Sequence, residues 1–198
     1  MVETTRRREI EDVASDLFRE QGYAATSVRD IARALDIQGA SLYAHVTSKE
    51  DVLWAIVDRA AQRFEAAADA AETKAAAAHP GDHAAQLAEL ARGHVRTITQ
   101  DVGAASVFVG EWRSLGPERR VPILERRDAY ERRYRDLIAA GMAAGEFRMI
   151  DPALAAMLVL GALNSIATWY DMNGRLPADR IVELAAESVV RIVVEEPT

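Results

Sequence analysis

Residues 26–46 read Thr26-Ser27-Val28-Arg29-Asp30-Ile31-Ala32-Arg33-Ala34-Leu35-Asp36-Ile37-Gln38-Gly39-Ala40-Ser41-Leu42-Tyr43-Ala44-His45-Val46. The spacing predicts two short helices joined by a tight turn. Ser27 and Asp30 stand three residues apart, as in a capping box, where the hydroxyl caps the helix and the carboxylate reaches back. The first helix then runs to about Leu35, Asp36-Ile37 makes the turn, and the second covers about Gln38 to Ala44. That second helix lacks the Lys and Glu of an ordinary surface helix. Its small residues let the backbone approach a DNA major groove, and its few polar side chains reach base edges or phosphates.

Outward from this pair the pattern stays helical. Upstream, Ile10, Val13, Ala14, Leu17 and Phe18 recur at helical spacing, and Gly22 suits the position that ends a helix. Downstream, Ser48-Lys49-Glu50-Asp51 reads as a second capping box. It opens a long helix with Val52, Leu53, Ile56, Val57, Ala60 and Phe64 on one side. His79-Pro80-Gly81-Asp82 breaks that helix. Further helices follow from His83 to about Gln100, Ala104 to Leu115, Glu118 to Ala144, after Asp151-Pro152 to Tyr170, and Ala178 to about Val194. The expectation is an all-α protein of nine helices, with a helix-turn-helix domain over 1–47 and a ligand-binding and dimerisation domain over 48–198.

Composition narrows the classes. The chain has 198 residues, 49% of them hydrophobic, and alanine, a strong helix former, dominates that count. There is no cysteine, which excludes disulfides and thiolate chemistry and fits a reducing cytosol. The opening Val2-Glu3-Thr4-Thr5-Arg6-Arg7-Arg8 lacks the apolar core of a signal peptide, so none is expected. The most apolar run, Ala153 to Leu163, reads as a buried helix, too short and interrupted for a membrane span; a cytoplasmic protein without membrane partner is expected. The net charge of −7 argues against a general nucleic-acid coat, though a specific reader needs only local positive charge. His79 and His83 are four apart, but Pro80 and Gly81 between them argue against a metal site. No paired-carboxylate motif or phosphate loop supports an enzyme, and no cofactor is expected.

Four elements then occur in order: Gly22-Tyr23; Thr26-Ser27-Val28-Arg29-Asp30-Ile31-Ala32; Ser41-Leu42-Tyr43-Ala44-His45-Val46; and Ser48-Lys49-Glu50-Asp51-Val52-Leu53. Over about residues 5–55 the chain resembles the DNA-binding domain of TetR-family transcriptional repressors. The resemblance implies DNA contacts from Thr26, Ser27, Arg29, Gln38, Gly39, Ala40, Ser41, Tyr43, His45 and Lys49. Helix N-termini suit phosphates, so Ser27, and Ser48 with Lys49, are candidate phosphate contacts. Gln38 to Ser41 would face bases; Gln pairs with adenine, and Ala packs on a thymine methyl. Gln38-Gly39-Ala40 departs from the family's commoner Ser-x-Gly-Thr pattern, so no operator carries over. Taken singly, Tyr43 reads equally as a core aromatic, while His45 reads more readily as a surface residue and Arg6 to Arg8 as a solvated terminus.

In that family the C-terminal helices bind a small molecule and form the dimer. Here the helix ending at Tyr170 is apolar on nearly every face, and the last helix offers Ile181, Leu184, Ala185, Val189, Ile192 and Val193. Two such helices per subunit suit a four-helix interface about a two-fold axis, with Ala155, Ala156, Gly161 and Ala162 allowing close approach. Candidate ligand residues are Phe64, Leu90, His94, Phe108, Glu111, Trp112, Tyr134, Met157, Asn164 and Thr168. Asn164 reads equally as a pocket group or as a structural hydrogen-bond partner, whereas His94 reads more readily as a satisfied core histidine than as a pocket group.

A second resemblance covers roughly residues 105–185. It rests on Glu111-Trp112-Arg113, Arg127-Asp128-Ala129-Tyr130-Glu131, Gly141 with Gly145-Glu146-Phe147, Asp151-Pro152, Asn164, and Ala167-Thr168-Trp169-Tyr170 with Gly174-Arg175-Leu176. These motifs are similar to a branch of the family that regulates fatty-acid and steroid degradation, and the likeness implies an acyl-CoA effector. The Arg residues around Glu118 to Ala144 suit phosphate recognition, or else pair along their own helix with Glu118, Glu125, Asp128, Glu131 and Asp136. The expectation is a homodimeric repressor of a two-fold DNA operator. An efflux-type repressor answering an aromatic drug is the alternative; an all-α enzyme or protein-binding scaffold is the reading from another class.

Overall fold

The computed structural model describes residues 2–194. Among them are nine α-helices and no strand: α1 (Val2–Gln21), α2 (Val28–Ala34), α3 (Gly39–Tyr43), α4 (Lys49–Ala78), α5 (His83–Gln100), α6 (Val102–Gly110), α7 (Pro117–Ala143), α8 (Pro152–Trp169) and α9 (Ala178–Val193). A single 3-10 turn covers Trp112–Ser114, where α6 was expected to continue to Leu115. The helices pack as two compact units. Among the described residues, one holds 2–61 and 101–124, the other 62–100 and 125–194. Residues 101–124, which hold α6 and the first turns of α7, therefore belong with α1 to α3 and the start of α4.

In the first unit Ile10, Ala14, Phe18, Ile31, Ala32, Leu42 and Val46 are buried, while Leu17, part of the expected apolar stripe, and Leu35 are half-buried. The α2 cap forms as the sequence implies: Ser27 Oγ accepts from Asp30 N, and Asp30 accepts from Ser27 N. Asp36 takes the turn with φ +52°, a left-handed conformation that Asp tolerates. The α4 cap is different. Ser48 Oγ accepts from Asp51 N at 3.0 Å, but the Asp51 carboxylate reaches Thr47 N rather than Ser48 N. It also receives Arg119 at 3.2 Å, and Arg7 lies 3.7 Å away. α6 lies directly on α1: a Cβ at Gly103 would sit 2.9 Å from Asp16 Oδ1.

In the second unit α5 packs most extensively on α9, with α8 touching both. Two arginines of α7, seven residues apart and so on one face, meet a row of α4 carboxylates. Arg126 grips Glu65 with two bonds of 2.7 and 2.8 Å, and Arg133 meets Asp69 at 2.7 Å and Glu72 at 2.8 Å. Pairing along α7 itself was one of the two readings of these arginines; for these two residues the partners lie across the helix–helix seam instead. After α7 the chain turns at Gly145 (φ +76°) and lays the Phe147 ring on Gly141, where a Cβ would come within 2.3 Å of the ring. That contact accounts for the Gly141…Gly145-Glu146-Phe147 motif.

α8 corrects another expectation. Over its 18 residues it is long and apolar enough to cross a membrane, because Asn164, Ser165 and Thr168 interrupt it without adding charge; one third of it is buried. Ser165 and Thr168 donate back to the carbonyls of Ala162 and Ser165. Leu154, Met157, Leu158 and Trp169 are exposed. Ala155 and Ala156, by contrast, are spent inside the protomer.

Candidate functional site

The reading surface is built from α2, its turn and α3. Leu42 and Val46 stand one turn apart and point inward. Tyr43 is rotated from them by a third of a turn and is 57% exposed, so it is not a core aromatic. Ser27, Arg29, Gln38, Ala40 and Ser41 are also exposed, and Gly39 is half-buried. Arg29, Arg33, Asp36, Ile37, Gln38 and Gly39 border a shallow groove of about 410 Å³ at the head of α3. His45 is half-buried, with Nδ1 turned inside. Hydrogen bonds from the Ser27 hydroxyl and N–H hold Asp30 below the usual carboxylate range, which keeps the α2 cap ionised at neutral pH.

Two residues expected at DNA sit differently. Thr26 is 1% exposed, and its hydroxyl donates to Gly22 O at 2.9 Å, closing the loop after α1. Lys49 Nζ donates to Tyr23 O and Thr26 O, both at 2.8 Å, and stands 4.1 Å from the Tyr23 ring centroid. Two of its three N–H groups thus hold the α1–α2 loop. Arg6 pairs with Glu9, and Arg7 turns toward Glu11 at 3.4 Å, so neither side chain stands free of acidic partners.

Of the expected ligand residues, the structure brings together Phe64, Leu90, His94, Tyr134 and Asn164, all in the second unit. His94 is 3% exposed. Its ring lies 4.8 Å from Phe64, and Nδ1 is 3.1 Å from the Tyr130 hydroxyl. Tyr134 donates to Leu90 O at 3.3 Å. Burial pushes the His94 pKa down to about 3; Asn164 opposes the shift and Arg127 adds to it. The ring is therefore neutral at physiological pH. Nε2 is buried without a hydrogen-bond partner of regular geometry, although Asn164 is its polar neighbour. Burial raises both tyrosine pKa values, so the phenols stay protonated. Tyr130 was not among the expected ligand residues, yet its spacing of four from Tyr134 already puts the two on one helix face.

The other expected ligand residues lie elsewhere. Met157 (58% exposed) and Thr168 are on the outer face of α8. Phe108, Glu111 and Trp112 belong to the first unit. There Glu111 Oε1 accepts from Tyr23 N at 3.0 Å, and Arg113 stacks on Trp112. Gly116 N donates to Glu50 at 2.9 Å. The segment 101–124 is thus bonded to the loop and helix start that flank the reading surface. These contacts span 88 and 66 residues of sequence, and no local pattern signals them.

An N-capped helix, a tight turn and an exposed second helix bearing small and hydrogen-bonding side chains define a helix-turn-helix DNA-binding protein. The matches to known proteins agree in both halves. The chain belongs to the TetR family of transcriptional regulators: residues 10–56 match the tetR family of bacterial regulatory proteins, and residues 80–193 match the tetracyclin repressor-like C-terminal domain. It is 30% identical over 184 residues to the HTH-type transcriptional repressor KstR2 of Rhodococcus jostii (strain RHA1), covering 90% of this chain and 86% of that one. The TetR family regulator PfmR from Thermus thermophilus shares the fold at a TM-score of 0.78, with 31% identity over 92% of this chain and 97% of that one. AibR, solved in complex with isovaleryl coenzyme A and operator DNA, has a TM-score of 0.79 and 25% identity over 96% of this chain and 98% of that one.

Proposed function

We propose that the protein is a homodimeric repressor that leaves its operator when a small lipophilic effector of the acyl-CoA class binds the second unit. The observation that carries the dimer is the face of α8: Leu154, Met157, Leu158 and Trp169 are exposed on a helix without a single charge. A groove of about 230 Å³ adjoins this face between α8 and α9, lined by Ala162, Ile166, Trp169 and Ile181 among others. Pairing this surface with its two-fold copy removes it from water. The pair then carries two reading surfaces, which must lie about 34–36 Å apart to enter successive major grooves.

Within each reading surface Gln38, Gly39, Ala40 and Ser41 face bases, and Arg29 reaches a guanine edge. Ser27, Tyr43 and His45 meet phosphates, while Thr26 and Lys49 shape the loop that supports them. Residues 1–47 form the reading head; the remainder binds effector and partner, and residues 101–124 brace the head. The acyl-CoA class is supported by the likeness to AibR and by the buried cluster of Phe64, Leu90, His94, Tyr134 and Asn164. The test is fluorescence anisotropy on a labelled operator, titrated with acyl-CoA thioesters and, in parallel, aromatic drugs. Release by thioesters alone is expected. Release by a drug alone would replace the effector class while keeping the repressor.

A further inference from the structure

We infer that Arg33, held in place by Asp30, reads a guanine edge in the operator, as a second arginine beside Arg29. This rests on the DNA-reading role given above to α2 and α3, and adds to it a residue that sets sequence preference.

Arg29 and Arg33 stand four apart on α2, so their side chains leave the same face. Both border the groove of about 410 Å³ at the head of α3, together with Gln38 and Gly39. A base pair that enters beside Gln38 therefore comes within the range of both guanidinium groups. Asp30 accepts from the Ser27 N–H at 2.9 Å and from the Ser27 hydroxyl, both on Oδ2. Its Oδ1 is left to accept from Arg33 Nη1 at 3.0 Å. Ser27, Asp30 and Arg33 thus form a relay from the α2 cap to the rim of the groove. Arg33 remains 78% exposed, and among the described residues no acceptor takes its Nε and Nη2 donors.

Charge decides what this fork grips. A phosphate is drawn by net positive charge, whereas a guanine edge offers two aligned acceptors, O6 and N7. Asp30 cancels the charge of Arg33. Asp36, exposed on the rim of the same groove, offsets that of Arg29. Two carboxylates would repel a phosphate lodged between them, but they leave the acceptors of a base edge attractive to the arginines. Asp30 also reduces the side-chain freedom lost when the planar fork aligns. The arrangement therefore suits readout of a base rather than attraction to the DNA backbone.

Arg33 touches the DNA; Asp30 is a positioning residue. The probe is the duplex that the full-length wild-type protein enriches from a random library. Competition binding then ranks versions with each base pair of a half-site changed in turn. Arg33→Lys keeps the charge and loses the fork. It should lower discrimination at one guanine about tenfold and leave the salt slope unchanged. Asp30→Asn still offers an acceptor to the Ser27 N–H, so the cap survives. It should weaken discrimination at the same base pair and raise affinity for unrelated duplex, because it adds net positive charge. A role in the cap alone would lower Tm and move neither of those readouts. The double variant Asp30→Asn with Arg33→Ala carries the wild-type net charge, and should lose the guanine preference at an unchanged salt slope. If it instead binds every sequence more weakly and its slope falls by about one, Arg33 is a phosphate contact and the inference is overturned. An unchanged ranking in Arg33→Lys overturns it as well. If no duplex is enriched, the DNA reading itself fails and this assignment falls with it.

Discussion

Replacing Lys49 by alanine separates two roles that one residue can play at the edge of a DNA interface. Its ammonium makes two bonds of 2.8 Å to the backbone carbonyls of Tyr23 and Thr26 and lies on the Tyr23 ring. A hydrogen bond to a charged group is worth about 1.5–3 kcal/mol, and a partly exposed cation–π contact about 0.5–1 kcal/mol. Lys49 is only half-buried, so solvent competes and the sum is reduced; a loss of about 2 kcal/mol is a fair figure for the site. For a chain of this size that lowers Tm by about 4–8 °C, at roughly 2–4 °C per kcal/mol. The assay is thermal unfolding followed by circular dichroism, with operator affinity measured across a salt series. Lys49→Met, which retains the apolar stem, should recover part of the stability through packing and none of the two carbonyl bonds. If Lys49 served only as a phosphate contact, Tm would stay within about 1 °C of wild type and the salt slope would fall by about one. That pattern would refute the clamp.

Tyr43→Phe should weaken binding to every DNA sequence without changing Tm, because the ring is exposed; gel-shift titration and a melting curve check both halves. Gln38→Ala should alter the ranking of operator variants, read out by competition binding. Gly141→Ala forces a methyl into the Phe147 ring and should destabilise by about 1–3 kcal/mol, the usual range for overpacking, measurable by denaturant unfolding. His94 titrates with a folded pKa near 3 against an ordinary 6.5, so the unfolded chain takes up the proton first. Its neutral burial therefore favours folding fully above about pH 6.5 and progressively less as pH falls toward 3. His94→Phe should flatten the acid side of the stability profile, and an unchanged profile would refute the buried neutral ring.

The helix-turn-helix was legible because its signals are local. Ser27 and Asp30 cap within one turn and Asp36 bends the chain; that Tyr43 turns outward beside the buried Leu42 and Val46 emerged only from the structure. The branch motif around Gly141 and Phe147 was visible as a pattern before its cause, a ring seated on a missing side chain. What stayed hidden depends on backbone carbonyls or on distance. A sequence shows that Lys49 is cationic but not that Tyr23 O and Thr26 O occupy it. Thr26 looked like a surface hydroxyl until Gly22 O claimed it. Glu111 and Trp112 read as pocket residues because they stand among apolar neighbours, yet Glu111 bonds a loop 88 residues earlier. Met157 and Thr168 stand seven and four residues from Asn164, on the same side of α8, but both are exposed where Asn164 is half-buried.

In vitro selection from a random duplex library tests the central claim most directly. Two reading helices on a two-fold dimer should enrich a symmetric site, with half-sites separated as successive major grooves require, and the selected duplex should bind with a strong dependence on salt. Enrichment of an unsymmetric single half-site bound by a monomer, or no enrichment at all, would contradict the account.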